Sequence, residues 1–339
     1  MNAVVLVGGF GTRLRPLTET VKKELLPLVD RPILDHTLDR LVAHGVDRVV
    51  MSSPYLEEAF DPFIRARRGA PAIAWVTEER PLGTGGAIVH ALGELGDEPF
   101  FALNGDILTD LDLTAMRGAH EAAGAAVTIA LHHVEDARAF GLVERAADGR
   151  VAAFREKPET PVAGDVNAGT YLLDPAALRR WSSDREISIE REIFPEVIDG
   201  GAVVLGFLAD AYWLDLGTPE KYLQAHADVL DGKVHGLDYP NPWIAPDAAV
   251  DPAAEIGPRT AVGPEARVAA EARIDASVLH AGSDVEAGGR LEATIVGSGA
   301  RVGEGAVLRN CVLGAGSRVP PGLELSGTKV GVDAVAAPA

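Results

Sequence analysis

Cysteine is almost absent from this sequence of 339 residues, because Cys311 is the only one. A single thiol cannot form an intramolecular disulfide, and a chain without disulfides is typical of a reducing compartment. Long apolar runs are also missing, since no segment approaches the roughly 20 residues that span a bilayer. The short apolar run at the N-terminus has no basic segment before it and is too short for a signal peptide. We therefore expect a soluble, cytoplasmic protein with no membrane partner.

Positive charge is scarce as well. The sequence has 31 basic against 50 acidic residues, which gives a formal charge of −19. Such a balance argues against a nucleic-acid surface and against an anionic membrane as partner. Any anionic substrate must therefore be held by a local cluster of Arg and Lys or by a metal. The length and the hydrophobic content of 47% suit two domains with ample cores.

The first stretch of the chain has the pattern of a phosphate-binding loop. Residues 3–7 are apolar and rich in Val, which predicts a buried strand, and the glycines at positions 8, 9 and 11 predict a turn directly after it. Without side chains, such a turn brings backbone N–H groups close to an anion. Arg13 and Lys23 add positive charge nearby. The loop fits neither the P-loop nor the dinucleotide-binding glycine pattern.

One long motif carries a family resemblance. Residues 8–18 read GGFGTRLRPLT, and Lys23 is followed by Leu-Leu-Pro at 25–27. Together they resemble the opening of the sugar-1-phosphate nucleotidyltransferases, and most of all the mannose-1-phosphate guanylyltransferase type. Many relatives have Pro-Lys-Pro where this chain has Lys-Lys-Glu at 22–24, and the register with Leu-Leu-Pro favours Lys23. The resemblance implies catalytic roles for Arg13 and Lys23 and a nucleotide-binding set of Leu6, Gly8, Gly9, Gly11, Thr12 and Arg13.

The segments after the loop alternate between helix and strand. The apolar periodicity predicts helices over 31–44 and 55–67, with strands over 46–51, 73–77 and 99–103. This alternation indicates right-handed βαβ units, and thus an α/β protein with a Rossmann-like, mostly parallel sheet. Ligands of such sheets bind beyond the carboxyl ends of the strands.

The stretch Glu78 to Ala87 resembles the second block of the family. The resemblance implies that Glu78 reads the edge of the base and that Gly83 lies against it, with Thr84 also in the nucleotide site. Thr84 has in addition the chemistry of a helix cap, and the alternative for Glu78 is an exposed acid. A carboxylate is acceptor-only and can take both N1–H and N2–H₂ of guanine, so GTP is the expected nucleotide. dTTP, UTP and ATP remain alternative nucleotide substrates.

Two aspartates match the magnesium ligands of the family. Asp106 follows the strand predicted over 99–103, and Asp215 lies just before a helix start at Thr218. The resemblance therefore implies Mg²⁺ bound by Asp106 and Asp215. The nearby Asp110 and Asp112 fit the start of a helix and are interpreted as structural.

Short segments beyond residue 131 resemble the sugar-binding blocks of the family, and they are expected to form a half-exposed sheet that covers a pocket. The resemblance implies that Glu156 and Asn167 face sugar hydroxyls, that Gly141 offers a backbone contact and that Lys157 meets the sugar phosphate. Asn104 joins this sugar-phosphate set. Without the resemblance, Glu156 and Lys157 would be an ordinary solvated pair.

The last third of the chain is a hexapeptide repeat. Residues 238–243 break the earlier pattern, and apolar residues then recur at six-residue steps: Ile244, Val250, Ile256, Val262, Val268 and Ile274. This repeat predicts a left-handed parallel β-helix with stacked inward side chains. Cys311 occupies a repeat position shared with Ser277 and Thr294, which predicts a packed side chain. The expected division is a catalytic domain over 1–235, a linker over 236–243, the β-helix over 244–328 and a frayed tail over 329–339.

The sequence therefore predicts nucleotidyl transfer from a nucleoside triphosphate, GTP favoured, to a sugar 1-phosphate, mannose 1-phosphate favoured, with release of pyrophosphate. Glucose 1-phosphate or another sugar-like phosphate is the alternative acceptor. A homo-oligomer built through an apolar flank of the β-helix is also expected. A different class is a non-catalytic regulatory homologue that binds nucleotide sugar. Another is a hexapeptide acyltransferase, whose only candidate base is His280, expected to be an exposed turn residue.

Overall fold

The computed structural model describes residues 1–54, 57–155 and 158–338. These residues form two compact units, and each unit combines two separate segments of the chain. The first unit contains residues 1–8 and 36–213, and the second contains residues 9–35 and 214–339. The loop that carries Arg13 and Lys23 thus belongs to the same unit as the C-terminal repeats. Domains defined as consecutive stretches of sequence cannot describe this arrangement.

The strands before the repeats are β1 Asn2–Leu6, β2 Pro27–Leu28, β3 Arg31–Pro32, β4 Arg48–Ser53, β5 Ala72–Thr77, β6 Phe100–Asn104, β7 Ile107–Thr109, β8 Val127–Val134, β9 Leu142–Arg145, β10 Val151–Arg155, β11 Gly164–Leu173, β12 Val204–Leu208 and β13 Trp213–Asp215. The α-helices are α1 Ile33–Ala43, α2 Asp61–Ala66, α3 Gly83–Ala91, α4 Leu113–Ala123, α5 Pro175–Leu178, α6 Phe194–Asp199 and α7 Pro219–Leu230. A π-helical turn, Ile189–Ile193, directly precedes α6.

Nine strands of the first unit form one mixed sheet. Strands β6, β1, β4 and β5 are neighbours in that order and run parallel, which confirms the predicted Rossmann-like core. Residues Ala3, Val4 and Val5 of β1 have no solvent exposure, as expected for a central strand covered on both faces.

The segments beyond residue 131 extend this same sheet. Strand β11 runs antiparallel to both β6 and β8, and β9 and β10 follow at one edge. The half-exposed character that the sequence predicts is found in β9, where three of the four residues are partly exposed. Strand β11 differs, because it is ten residues long, mostly buried and packed as a central strand.

The acids interpreted as structural do have structural roles. The Asp112 carboxylate caps α4 by accepting a hydrogen bond from Ala115 N at 2.9 Å, and Gly124 ends the helix in the left-handed region with φ of 57°. Asp110 accepts a hydrogen bond from Tyr212 N at 2.7 Å. Both predictions are confirmed.

The C-terminal repeats form three stacks of short parallel strands, consistent with the predicted left-handed β-helix. The first face contains Trp243–Ile244, Ala261–Val262, Val278–Leu279, Ile295–Val296, Val312–Leu313 and Lys329–Val330. The second contains Ala249–Val250, Arg267–Val268, Asp284–Val285, Arg301–Val302 and Arg318–Val319. The third contains Glu255–Ile256, Arg273–Asp275, Arg290–Glu292, Val307–Arg309 and Glu324–Ser326.

A ladder of small polar side chains joins successive coils. The Ser277 hydroxyl donates to Asp275 O at 2.7 Å and accepts from Thr294 N at 3.0 Å. Thr294 repeats this pattern with the amide of Cys311, whose buried thiol donates to Arg309 O at 3.3 Å. The prediction that Cys311 is a packed side chain is confirmed.

The expectation of a frayed C-terminal tail was wrong. Lys329–Val330 is the sixth strand of the first face, and Ala336 N donates to Arg318 O at 2.8 Å. Ala336 is 8% exposed and belongs to the core of the β-helix. Because a repeat coil needs only the preceding coil to pack against, small residues are enough to extend the stack.

Among the helices that the structure describes, none has the length and apolar character needed to cross a bilayer.

Candidate functional site

The glycine turn after β1 is shaped by close packing and by backbone conformation. A Cβ atom at Gly8 would lie 2.5 Å from Pro54 Cδ, so no side chain fits there. Gly11 has φ of 59°, in the left-handed region, and precedes the helical turn Thr12–Leu14. The Thr18 hydroxyl holds this turn by donating to Gly11 O at 2.8 Å. The first amides of a helical turn have no partner inside it, which leaves them suited to an anion.

Lys23 lies against this glycine turn. A Cβ at Gly9 would lie 3.2 Å from Lys23 Nζ and 4.0 Å from Glu24 Oε1, so the ammonium group occupies the space that a side chain at Gly9 would fill. Lys23 begins the helical turn Lys23–Leu25, which leads into the hairpin of β2 and β3. Residues 9–12, Arg13 and the Lys23 ammonium group lie in the second unit and are called its cationic region below.

Arg13 and Asp215 meet at Gly217, a residue that the sequence analysis did not single out. A Cβ at Gly217 would lie 2.6 Å from Arg13 Nη2 and 3.1 Å from Asp215 Oδ1. Asp215 Oδ2 also accepts from Lys221 Nζ at 3.3 Å. The glycine before Thr218 was the available signal, because only a residue without a side chain leaves room for the guanidinium group.

The predicted cap of α7 is present. The Thr218 hydroxyl accepts from Lys221 N at 3.4 Å, and Pro219 occupies the first turn. Asp215 therefore lies one short turn before a well-formed helix start.

Asp106 follows β6 in the first unit. The turn that leads to it is held by a hydrogen bond of 2.9 Å from Gly105 N to Leu6 O, at the end of β1. Among the described residues, no group of three or more His, Cys, Asp or Glu side chains could form a metal cage. Magnesium is usually bound by one or two carboxylates together with substrate phosphates, so single carboxylates such as Asp106 and Asp215 suit its chemistry.

Glu78 is 4% exposed, so the alternative of an exposed acid was wrong. Its Oε1 accepts from Ser52 Oγ at 3.0 Å and its Oε2 accepts from Leu82 N at 3.0 Å. Glu78 therefore fixes the turn that leads into α3. Each carboxylate oxygen has a second lone pair, and the assignment of Glu78 to the base stays a prediction.

Thr84 does not cap α3, contrary to the prediction. The helix begins at Gly83, and the amides of Gly85 and Gly86 donate to Ile187 O at 2.9 and 3.3 Å. The carbonyl of Ile187 thus satisfies the helix start from another part of the chain. A Cβ at Gly83, whose φ is 68°, would lie 2.7 Å from that same carbonyl oxygen.

Glu190 was missed by the sequence analysis, although it joins two of the predicted site residues. Its Oε2 accepts from Thr84 Oγ1 at 3.3 Å and from Ser188 Oγ at 3.0 Å. Its Oε1 accepts from Tyr171 Oη at 3.2 Å and from Asn167 Nδ2 at 3.3 Å. Burial, together with the Glu190 carboxylate, raises the pKa of Tyr171 well above its ordinary value. Helix propensities do not predict the π-helical turn that carries Glu190. Such turns are frequent at functional sites.

Asn104 and Asn167 approach the same glycine. Gly169 N donates to Asn167 Oδ1 at 2.9 Å, and a Cβ at Gly169 would lie 2.7 Å from Asn104 Nδ2. The pairing of β11 with β8 is irregular between Asn167 and Tyr171. Irregularities of this kind change the direction of side chains and are common next to active sites. Two more predicted sugar residues, Glu156 and Lys157, lie outside the described residues, and Gly141 is an exposed residue directly before β9.

His280 is buried rather than exposed, which corrects the expectation for it. It is 5% exposed, and its Nε2 lies 3.0 Å from Tyr222 Oη. Burial, with a smaller effect of His226, lowers the pKa of His280 to about 3. A histidine with this pKa is a poor general base near neutral pH, which counts against the acyltransferase alternative.

Two family models match the chain. The nucleotidyl transferase model matches residues 2–232, and the GMPPB C-terminal domain model matches residues 239–333. A solved structure with a similar fold is HddC from Yersinia pseudotuberculosis, complexed with GMP-PN. Its TM-score is 0.57 and its identity 26%, over 66% of this chain and 97% of that one.

Curated relatives carry a consistent name. The mannose-1-phosphate guanylyltransferase of Mycobacterium tuberculosis is 41% identical over 68% of this chain and 65% of its own length. The catalytic subunit beta of the Danio rerio mannose-1-phosphate guanylyltransferase is 40% identical over 66% of this chain and 63% of its own length. The match thus spans less than two thirds of these two relatives. An Arabidopsis thaliana protein named probable mannose-1-phosphate guanylyltransferase 2 is 37% identical over 74% of this chain and 72% of its own length. With the nucleotidyl transferase model covering residues 2–232, this chain belongs to the nucleotidyl transferase family.

Proposed function

We propose that this chain is a sugar-1-phosphate nucleotidyltransferase that joins GTP and mannose 1-phosphate into a nucleotide sugar, with release of pyrophosphate. A phosphate oxygen of the sugar 1-phosphate attacks the α-phosphorus of the triphosphate, and the bond from that phosphorus to the bridging oxygen of pyrophosphate breaks. The names of the curated relatives support this choice of nucleotide and sugar.

The observation that carries the proposal is the cationic region of the second unit. Lys23 Nζ lies beside Gly9, and Arg13 meets Asp215 at Gly217. A chain with a formal charge of −19 would repel a triphosphate unless it concentrated positive charge at one place. We propose that this region, with the backbone amides of the glycine turn, holds the phosphate groups of the substrates.

The proposed roles follow from charge and position. Arg13 and the glycine turn hold the triphosphate, while Lys23 neutralises charge that develops on the reacting phosphate. Lys157 is the proposed partner of the sugar phosphate. Asn167 and Glu156 are the proposed contacts of the sugar hydroxyls. No covalent intermediate is required, so catalysis consists of orientation and electrostatic stabilisation.

A divalent metal is expected for a member of this family, and we propose Mg²⁺ with Asp106 and Asp215 as its protein ligands. When bound, such an ion would neutralise negative charge on the phosphate groups. These two carboxylates would hold the ion, and Asp215 Oδ2 also accepts a hydrogen bond from Lys221 Nζ at 3.3 Å.

The test of the proposed function is a matrix of four nucleoside triphosphates against several sugar 1-phosphates, scored by pyrophosphate release. The expected result is that GTP with mannose 1-phosphate gives the highest kcat/KM. A preference for dTTP, UTP or ATP with glucose 1-phosphate would keep the reaction and change the substrates. No pyrophosphate with any pair would favour the non-catalytic regulatory homologue.

We also propose a cytoplasmic homo-oligomer that assembles through the β-helix. The sequence analysis expected an apolar flank as the interface, but the outward residues of the first face, Ala261, Val278 and Ile295, are at most 2% exposed in the chain. The third face instead carries exposed charges, including the pair of Arg273 and Glu255 at 3.3 Å.

An interface on such a face should be sensitive to salt, because exposed ion pairs are screened. Light scattering of the full chain is expected to give a multiple of the protomer mass at low ionic strength and a smaller mass near 1 M salt. A protomer mass at every ionic strength would contradict the oligomer, and a constant multiple would contradict the charged interface.

A further inference from the structure

The segment that carries Arg13 and Lys23 is supported by the β-helix of its own unit. Lys329 Nζ, in the last strand of the first face, donates to Arg13 O at 3.4 Å. One coil earlier, a Cβ at Gly314 would lie 3.1 Å from Pro16 Cβ. The β-helix therefore contacts the phosphate loop at two separate points, the backbone carbonyl of Arg13 and the ring of Pro16.

A third contact is made deeper in the unit, through α7. Tyr222 is fully buried, and its hydroxyl donates to the carbonyl of Pro27, four residues after Lys23. His280 Nε2, at the end of the strand Val278–Leu279, lies 3.0 Å from the same hydroxyl. A line of three groups thus runs from the β-helix through α7 to the Lys23 segment.

The direction of each hydrogen bond in this line follows from the chemistry of its members. A carbonyl oxygen only accepts, so Tyr222 gives its single proton to Pro27. The contact from His280 must then be an Nε2–H group that donates to Tyr222 Oη. Burial keeps the ring neutral, since the pKa of His280 is lowered to about 3, and burial also raises the pKa of Tyr222 well above its ordinary value. Hydrogen bonds in such a chain polarise and strengthen one another.

The β-helix itself needs no large side chain at this position. The equivalent positions, defined by a backbone N–H that donates to the next coil, are held by small residues: Ala245, Gly263, Gly297 and Gly314. A Cβ at Gly263 would meet Leu279 O at 2.7 Å. Among these positions His280 alone has a side chain that can donate a hydrogen bond, and its Nε2 lies 3.0 Å from Tyr222 Oη.

We propose that His280 and Tyr222 are positioning residues that fix the Pro27 carbonyl and thereby hold Lys23 and the phosphate loop in their working geometry. The β-helix is then a scaffold for the phosphate site as well as an assembly surface. The task of Lys23 rests on the proposed function, whereas the support of the segment does not. A shift of about 1 Å in a phosphate-positioning group can lower turnover up to about a hundredfold.

The first measurement is amide hydrogen exchange of the full chain, which does not depend on activity. The amides of Leu26 and Ile33, bonded to Lys23 O and Leu26 O at 3.2 and 3.0 Å, report on the segment. In His280→Leu and in Tyr222→Phe they are expected to exchange several-fold to about tenfold faster, as for the loss of one net hydrogen bond. His280→Gln, whose amide can donate to Tyr222, should restore protection.

The second measurement separates positioning from stability. In His280→Leu, kcat should fall several-fold to about tenfold with a smaller change in KM, and His280→Gln should recover most of it. The matched control is Val302→Ala, in the β-helix core and fully buried, which lowers the unfolding temperature without touching the segment.

The outcomes distinguish the two proposals. Unchanged exchange of Leu26 and Ile33 in both His280→Leu and Tyr222→Phe overturns the positioning role. An equal loss of kcat in Val302→Ala also overturns it, because the effect would then be general destabilisation. If the wild-type chain releases no pyrophosphate from any substrate pair, the proposed function fails, and the exchange data still decide the positioning.

Discussion

Asp106→Asn and Asp215→Asn should each lower kcat for pyrophosphate release by at least about a hundredfold, the scale found when one group that stabilises developing charge is removed. The change keeps the shape of the side chain and removes its charge, so a magnesium ion loses a ligand that it prefers. The activity of each variant should also need more Mg²⁺ for half-saturation than the wild type does.

The metal dependence is needed to interpret Asp215→Asn. The Asp215 carboxylate and the Arg13 guanidinium both lie against Gly217, and Asp215 also pairs with Lys221. The variant therefore perturbs two cations as well. If activity falls only because those two cations are perturbed, the Mg²⁺ concentration for half-saturation should stay unchanged. If activity falls because a metal ligand is lost, that concentration should rise.

Asp112→Asn is the matched control for both variants. Asp112 caps α4, and Asn is an equally good cap, so this variant should keep wild-type kcat and stability. Full activity of Asp106→Asn or of Asp215→Asn, or undiminished wild-type activity in excess chelator, would contradict the proposed magnesium site.

The sequence predicted those parts of the fold that depend on neighbours along the chain. The apolar run of β1, the cap of α4 at Asp112, the cap of α7 at Thr218 and the six-residue repeat are all local patterns, and each was confirmed. Local patterns fix local structure because the groups that satisfy one another are a few residues apart.

The parts that sequence reasoning missed involve distant partners. Thr84 had the chemistry of a cap, but the carbonyl of Ile187 had already satisfied the start of α3. His280 had the look of an exposed turn residue, but Tyr222 covers it. The long separation along the chain explains both errors, since no propensity encodes which remote backbone group will arrive at a helix start or over a turn.

The residues of the candidate site also fall into two groups, those that the sequence predicts and those that only the structure identifies. The motif residues Arg13, Lys23 and Asp215 could be named from the family resemblance, whereas Gly217 and Glu190 appear only when the side chains are in place. Gly217 matters because it has no side chain. Glu190 matters because four donors converge on its carboxylate. Neither property is visible in a single sequence without the contacts.

The second large effect concerns the choice of base, and Glu78→Gln should reduce the preference for GTP over UTP or dTTP by about tenfold or more. This factor corresponds to the ~1–3 kcal/mol that an unsatisfied buried polar group costs. Glu78 accepts from Ser52 Oγ and from Leu82 N, each at 3.0 Å, and its remaining lone pairs can accept N1–H and N2–H₂ of guanine. A glutamine can satisfy Leu82 N with its oxygen and Ser52 with its amide, so the turn before α3 should survive. The same amide then opposes the guanine donors, which is why selectivity should change more than stability.

Ser52→Ala is the control for the Glu78→Gln prediction. It removes one hydrogen bond of the carboxylate and leaves the negative charge in place, so the preference for GTP should persist while the unfolding temperature falls. The measurement is kcat/KM for GTP, UTP and dTTP with one sugar 1-phosphate in the wild type and in both variants. Selectivity that is unchanged in Glu78→Gln would mean that Glu78 only supports the turn before α3 and that other groups read the base. A wild type that favours UTP, dTTP or ATP would contradict the assignment of guanine itself. A carboxylate at the base edge would face the carbonyl oxygens of uracil and thymine, and on adenine it would meet one exocyclic donor beside an acceptor.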